Sequence, residues 1–182
     1  DLHSFPTRRS SDLRFYGMKD LKIDVGEIIE DGKTYFDNAL IKAKALQAKT
    51  KMPIIADDSG LEVLALDNMP GLHSARFAEE CGGHKNAMAI INEKLQGKDR
   101  SARFICDIVL VNVEDKPLLF EGIVPGRIGL EPDGDTGFGY DPIFICDELN
   151  KSYASLTEEE KNRVSHRGKA LNKLLTYLKI NR

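Results

Sequence analysis

An α/β fold built on a mixed sheet flanked by helices is what this sequence predicts. Three observations carry that reading. Strand-type and helix-type apolar periods are interleaved along the chain, the pattern of a sheet covered by helices. One pair of strand-type runs is joined by a tight turn, which an all-parallel sheet would not contain. The 182 residues, 41% hydrophobic and 30% charged, are ordinary usage for a chain that buries a core of its own.

The elements follow in order. Residues 1–13, DLHSFPTRRSSDL, have neither period and crowd Ser, Arg and Pro together. They read as a non-native-looking tail, translated adapter sequence joined to a truncated gene, with an ordinary disordered terminus as the alternative. Residues 14–182 then form a single α/β domain. Leu21 to Val25 alternate like a short strand, and an acidic loop, Glu27 to Lys33, follows. The run TYFDNALIKAKALQAK opens with Thr34 and Asp37 at capping-box spacing and repeats Phe36, Leu40 and Ala43 on one face, so it is a helix. The lysines at 42–51 read as its solvated side. Pro53 precedes the apolar strand Ile54 to Ala56, which runs into Asp57-Asp58-Ser59-Gly60.

After Leu61 to Leu66 and a Pro70-Gly71 turn, Ala87, Ile90, Ile91 and Leu95 mark a second amphipathic helix that starts at the Gly82-Gly83 break. Residues 102–113 alternate, and with Leu118 to Leu130 across the turn Glu114 to Pro117 they make a long antiparallel hairpin. The glycine-rich loop EPDGDTGFGYDP, the strand Ile143 to Ile145 and a second capping box at Thr157 and Glu160 come next. The last helix presents Ala170, Leu171, Leu174, Leu175 and Leu178 inward.

Composition excludes some functions. A formal charge of −3 leaves no basic surplus for long nucleic acid, although a small anion needs only a few local cations. Cys81, Cys106 and Cys146 are far apart and in no metal-type spacing, which argues against disulfides and zinc and for a reducing cytoplasm. No apolar run approaches the roughly 18 residues of a membrane span.

Three stretches could carry chemistry. Asp57-Asp58 at a strand end offers the hard oxygen ligands Mg²⁺ takes, or a base for a water; alternation sends the two to opposite faces, so one of them enters a site. Asp-Asp-Ser-Gly is equally good turn chemistry. Glu131 to Asp141 has the look of a calcium loop, but its glycine falls one place early and Phe144 stands where a bidentate Glu is needed, so calcium is rejected. Gly137-Phe138-Gly139-Tyr140-Asp141 suits a flat heterocycle, or is a glycine turn whose rings pack in the core. Ser165-His166-Arg167-Gly168 opens a helix with Lys161 four residues upstream, either a phosphate clamp or a plain capped junction. Cys81-Gly82-Gly83-His84 is too sparse for a metal and reads as a turn.

In this order and spacing ADDSG, TGFGYDPIF and LTEEEKNRVSHRG, with MPGLHSARFA, resemble the inosine triphosphate pyrophosphatase family in its bacterial dITP/XTP branch, from about residue 20 to 180. The resemblance implies a homodimeric α/β protein with an elongated mixed sheet and a central cleft between two lobes. It implies Mg²⁺-dependent hydrolysis of dITP, ITP and XTP to the monophosphate and pyrophosphate, cleansing the nucleotide pool. By motif position Asp58 is the catalytic acid-base and a metal ligand, with Glu30 as the second metal-linked carboxylate. Ser59, Phe138, Gly139, Tyr140, Asp141 and Lys161 contact substrate, and His166 with Arg167 reaches the base. The family's Ser/Thr-x-Asn-x-x-Lys phosphate loop and its preceding strand are absent from the sequence. An inactive or weakly binding nucleotide remnant is therefore the alternative, and a pyrimidine-directed relative is a third reading.

Overall fold

The computed structural model describes residues 14–181. The tail read at residues 1–13 lies outside them. The elements are α1 (Tyr35–Gln47), β1 (Ile54–Val63), β2 (Met69–Pro70), α2 (Ser74–Glu80), α3 (His84–Lys94), β3 (Ser101–Val111), β4 (Leu118–Ile128), β5 (Phe144–Cys146), β6 (Lys151–Ser152), α4 (Glu158–Val164) and α5 (His166–Ile180). Six strands form one sheet in the order β2-β1-β3-β4-β5-β6. The α/β class and the helix-flanked sheet are as expected, and every pairing among the described strands is antiparallel.

Local chemistry sets the helix starts. Thr34 accepts from the Asp37 amide while the Asp37 carboxylate takes the Thr34 amide, and Thr157 and Glu160 repeat that exchange at α4. These are the two capping boxes the sequence announces. The long hairpin also forms as expected, with β3 and β4 in continuous register from Ser101↔Arg127 to Leu110↔Leu118.

Two expectations need correction, and one helix was not anticipated. Leu21 to Val25 form no strand. Leu21 and Ile23 donate backward to Gly17 and Met18, and Lys22 sits at φ 53, so a turn interrupts the alternation. β1 runs through Asp57-Asp58-Ser59-Gly60 to Val63, because β3 pairs with it along its whole length. The four residues are strand, not turn. Finally, α2 was not legible as a helix of its own.

Strand alternation sorts the core. Ile54, Ala56, Val109 and Val111 face α1 through Ala39 and Ala43. Cys106, Ile108 and Leu110 face α5 through Ala170, Leu171 and Leu174. The far ends of the same strands, with Leu61, Val63, Phe104 and Val124, pack against α3, β5 and Tyr153. Two packed ends thus share three strands. Close approach demands glycine at Gly122, where a Cβ would lie 1.9 Å from the His166 carbonyl oxygen. That contact seats the start of α5 on β4.

Candidate active site

Asp57 and Asp58 are adjacent on β1 and therefore serve opposite faces of the sheet. On the α1 face, Asp58 accepts from Lys42 Nζ at 3.2 Å and from Asn38 Nδ2 at 3.2 Å. Glu30 Oε2 lies 3.0 Å from the same ammonium. Asn38 also accepts the Gly32 amide at 2.8 Å, which ties the acidic loop to the helix and brings Glu30 in. Burial holds the Asp58 carboxyl above its ordinary value, opposed by Lys42 and Asn38. Burial works against the Lys42 charge, but Asp58 and Glu30 outweigh it and raise its pKa. Lys42 is thus no solvated side chain: it joins the two carboxylates singled out as metal ligands.

Those two acids converge on one cationic position. That donor set fits a hard divalent ion, and Mg²⁺ characteristically takes one or two carboxylates and fills its other positions with waters and phosphates. Among the described residues no three His, Cys, Asp or Glu side chains gather to hold an ion by themselves, so this partial arrangement is the relevant one.

On the α5 face, Asp57 Oδ2 accepts from Arg167 Nε at 3.1 Å and Nη2 at 3.0 Å. Arg167 Nη2 also approaches Ser59 Oγ at 3.4 Å. Burial disfavours the guanidinium charge, but Asp57 more than offsets it. Arg167 is therefore anchored to the strand that carries Asp58.

The glycine-rich loop forms the third group. Asp141, buried, accepts the Phe138 amide at 2.6 Å and pairs with Lys161. Lys161 Nζ also lies 5.8 Å from the centre of the Tyr153 ring. Tyr140 is buried and donates its hydroxyl to the Ser74 carbonyl at 2.7 Å, whereas Phe138 is 79% exposed. Gly139, at φ +63, makes the turn between the two rings. Of the two aromatics, then, Tyr140 packs in the core and Phe138 presents its ring to solvent.

His166 stands next to Arg167 and within the field of Lys161. It opens α5 beside Arg167, is buried, and stacks on Phe104 at 4.5 Å with the rings 7° from parallel. Its Nδ1 has no hydrogen-bond partner. Burial, then Arg167 and Lys161, hold its pKa well below the ordinary value, so it is neutral at physiological pH with one nitrogen to spare.

The structure thus gathers Glu30 with Asp58, Ser59 with Arg167, and Phe138 with Asp141 and Lys161, with His166 next to Arg167 on α5. Sequence reasoning missed Asn38 and Lys42, although their i, i+4 spacing beside the apolar stripe was a usable signal. It also missed the pairing of Asp57 with Arg167, for which the sequence carries no signal. A depression of about 410 Å³ lies elsewhere, between Glu121, Ile123, Lys169 and Lys173.

Comparison with known proteins adds an independent line. A model of the Ham1 family matches residues 8–177, beginning inside the segment read as a tail. A dITP/XTP pyrophosphatase of Treponema denticola is 47% identical over 154 residues, covering 82% of this chain and 79% of that protein. One from Dictyoglomus thermophilum is 42% identical over 165 residues, covering 88% and 80%. Among solved structures, a HAM1 protein from Coxiella burnetii superposes with a TM-score of 0.84 at 38% identity, covering 94% of this chain and 88% of that one. The Staphylococcus aureus Ham1 protein gives 0.80 at 38% identity, covering 86% and 82%.

Proposed function

The chain belongs to the Ham1 family, and from that premise we propose that it hydrolyses dITP, ITP and XTP to the monophosphate and pyrophosphate with Mg²⁺. The observation that carries this reading is the convergence of Glu30 and Asp58 on one cationic position, 3.0 and 3.2 Å from Lys42 Nζ. Glu30 and Asp58 would hold Mg²⁺, which would supply neutralisation of charge on the triphosphate.

The protein's own groups do the rest. Asp58, whose pKa burial raises above its ordinary value, takes the proton of the water that attacks the α-phosphorus. Lys42 keeps Asp58 and Glu30 together. Ser59, on β1 beside Arg167 of α5, contacts the substrate. Phe138 offers an exposed ring for the purine to stack on, with Gly139 and Tyr140 shaping the turn around it and Asp141 holding Lys161 beside the nucleotide. Neutral His166 and the Arg167 guanidinium supply donors toward a 6-oxo group, where a 6-amino group would set donor against donor. The proposal includes a homodimer working on the cytoplasmic nucleotide pool. Among the described residues no helix is long and apolar enough to cross a membrane.

The names of the relatives favour an enzyme over a binding remnant. Pyrophosphate release from dITP, XTP, dATP and dTTP at equal concentration, with Mg²⁺, tests the reading. Turnover of dITP and XTP should exceed that of the other two by at least about a hundredfold, well inside the roughly 10⁴–10⁵ that a site hydrogen-bonding its substrate achieves. Asp58→Asn should lower it by about a hundredfold or more, the low end for a lost general base. Equal rates on all four, or normal turnover by Asp58→Asn, would refute the assignment.

A further inference from the structure

His84 opens α3 directly after Gly82 and Gly83, whose φ values of +76 and +123 lie in the left-handed region. The turn read from the sequence therefore exists, and it sends the first side chain of the helix toward the glycine-rich loop. The imidazole centre lies 5.7 Å from the Phe138 ring, tilted by 56°. It lies 5.2 Å from the Tyr140 ring, edge-on at 76°. A Cβ placed on Gly139 would be 3.6 Å from His84 Nε2, so the imidazole also lies on the side of the turn between the two rings.

The two rings differ in what else holds them. Tyr140 is buried and hydrogen-bonded to Ser74. Phe138 is 79% exposed on a stretch whose flanking glycines have φ +99 and +63. An exposed phenyl on so permissive a backbone has several rotamers open to it, and fixing one when a ligand stacks costs entropy. A neighbour that restricts the ring beforehand removes part of that cost.

We propose that His84 is a positioning residue for base recognition: it backs Phe138 so that the free face of the ring is presented to a purine. This rests on the nucleotide reading above and goes beyond it in placing a determinant of base affinity on α3, outside the three motifs. His84 acts through Phe138 and touches no phosphate. Its contribution belongs to ligands that carry a base and is shared by ground state and transition state, so it appears in KM and not in kcat.

His84→Ala should raise KM for dITP roughly threefold to tenfold, the worth of one aromatic pair contact, with kcat held within about twofold. Binding of inorganic tripolyphosphate, which has no base, should be unchanged. His84→Phe keeps a ring in place and should restore KM. In a Phe138→Ala background, His84→Ala should have no further effect. Equal weakening toward dITP and tripolyphosphate, or an undiminished effect without Phe138, would overturn the proposal. Amide hydrogen exchange of the ligand-free protein separates this proposal from the functional reading. Exchange at the Phe138 and Asp141 amides, which are hydrogen-bonded to Asp141 Oδ2 and the Phe138 carbonyl, should quicken in His84→Ala while α3 stays protected, and unchanged exchange sinks the inference whatever the substrate proves to be. Faster exchange in a protein whose parent shows no preference for dITP sinks the functional reading alone.

Discussion

Lys42, Asp58 and Glu30 were separable in the sequence only by type: an acid pair stood out, and a lysine among several on a helix did not. Its partners come from a loop twelve residues before it and a strand sixteen residues after it, so the i, i+4 spacing with Asn38 puts the two on one helix face without reporting which acids they meet. Asp107 is a sharper case. It lies directly across from Asp58 in the ladder and next to Glu121 on β4, is only 5% exposed, and leaves Oδ1 without a partner. Burial, then Glu121 and Asp58, push its pKa up to about 6, against a backbone hydrogen bond from Phe36 that lowers it. The folded protein therefore binds this proton more tightly than the unfolded chain, whose aspartates titrate near 4. Its contribution to stability is complete below pH ~4 and is lost as pH rises through about 6. Asp107→Asn keeps the shape, accepts from Phe36 and can donate toward the neighbouring acids. It should be more stable than the parent above pH 7 by on the order of 2 kcal/mol, with the gain vanishing near pH 4. Urea unfolding in the presence of a chelator, at several pH values, measures this; a pH-independent difference would refute it.

Elements were legible where their signals are local. Thr34 with Asp37 and Thr157 with Glu160 fix two helix starts from three-residue spacings, and the alternation of β3 and β4 fixes a hairpin. β1 was read too short because Asp57-Asp58-Ser59-Gly60 is turn chemistry. Pairing with β3 and the cations Lys42 and Arg167 allow it to remain strand, and those partners are distant in sequence. The seating of α5 was equally hidden. Gly122 looked like an ordinary strand glycine, yet a Cβ there would meet the His166 carbonyl at 1.9 Å and the Ala170 nitrogen at 2.7 Å. Gly122→Ala must therefore push back the first turn of α5, which carries His166 and Arg167. A stability loss of about 1–3 kcal/mol is expected, together with weaker dITP binding than the stability loss alone explains. Thr157→Ala removes one cap and should cost about 1 kcal/mol while leaving Arg167 on Asp57. Thermal unfolding and dITP titration of the two variants side by side decide it; equal binding by both would show that α5 is not registered through Gly122.

At the scale of the molecule, both packed ends hang on the same three strands. Ile54, Ala56, Val109 and Val111 belong to the α1 end, while Leu61, Val63 and Phe104 on the same β1 and β3 belong to the end that includes α3 and Tyr153. The site residues of β1, Asp57 to Ser59, fall between the two sets. A chain divided into independent lobes would break at linkers, but here the connection is a continuous ladder from Ile54↔Val111 to Val63↔Ala102. Opening one end strips backbone hydrogen bonds and apolar cover from strands the other end needs, so unfolding should be all-or-none. The sequence contains no tryptophan, which permits a direct test with single reporters. Phe36→Trp reads the α1 end and Phe77→Trp the other, both at positions packed beside a core and not fully inside it. The two reporters, followed with far-ultraviolet circular dichroism in the same urea series, should give coincident midpoints. Saturating dITP, if it is held by residues from both ends, should raise both midpoints by the same amount through preferential binding to the folded state. Midpoints that separate, or a shift confined to one reporter, would mean that the ends melt independently and that the groups around Asp58 and Phe138 do not bind one ligand.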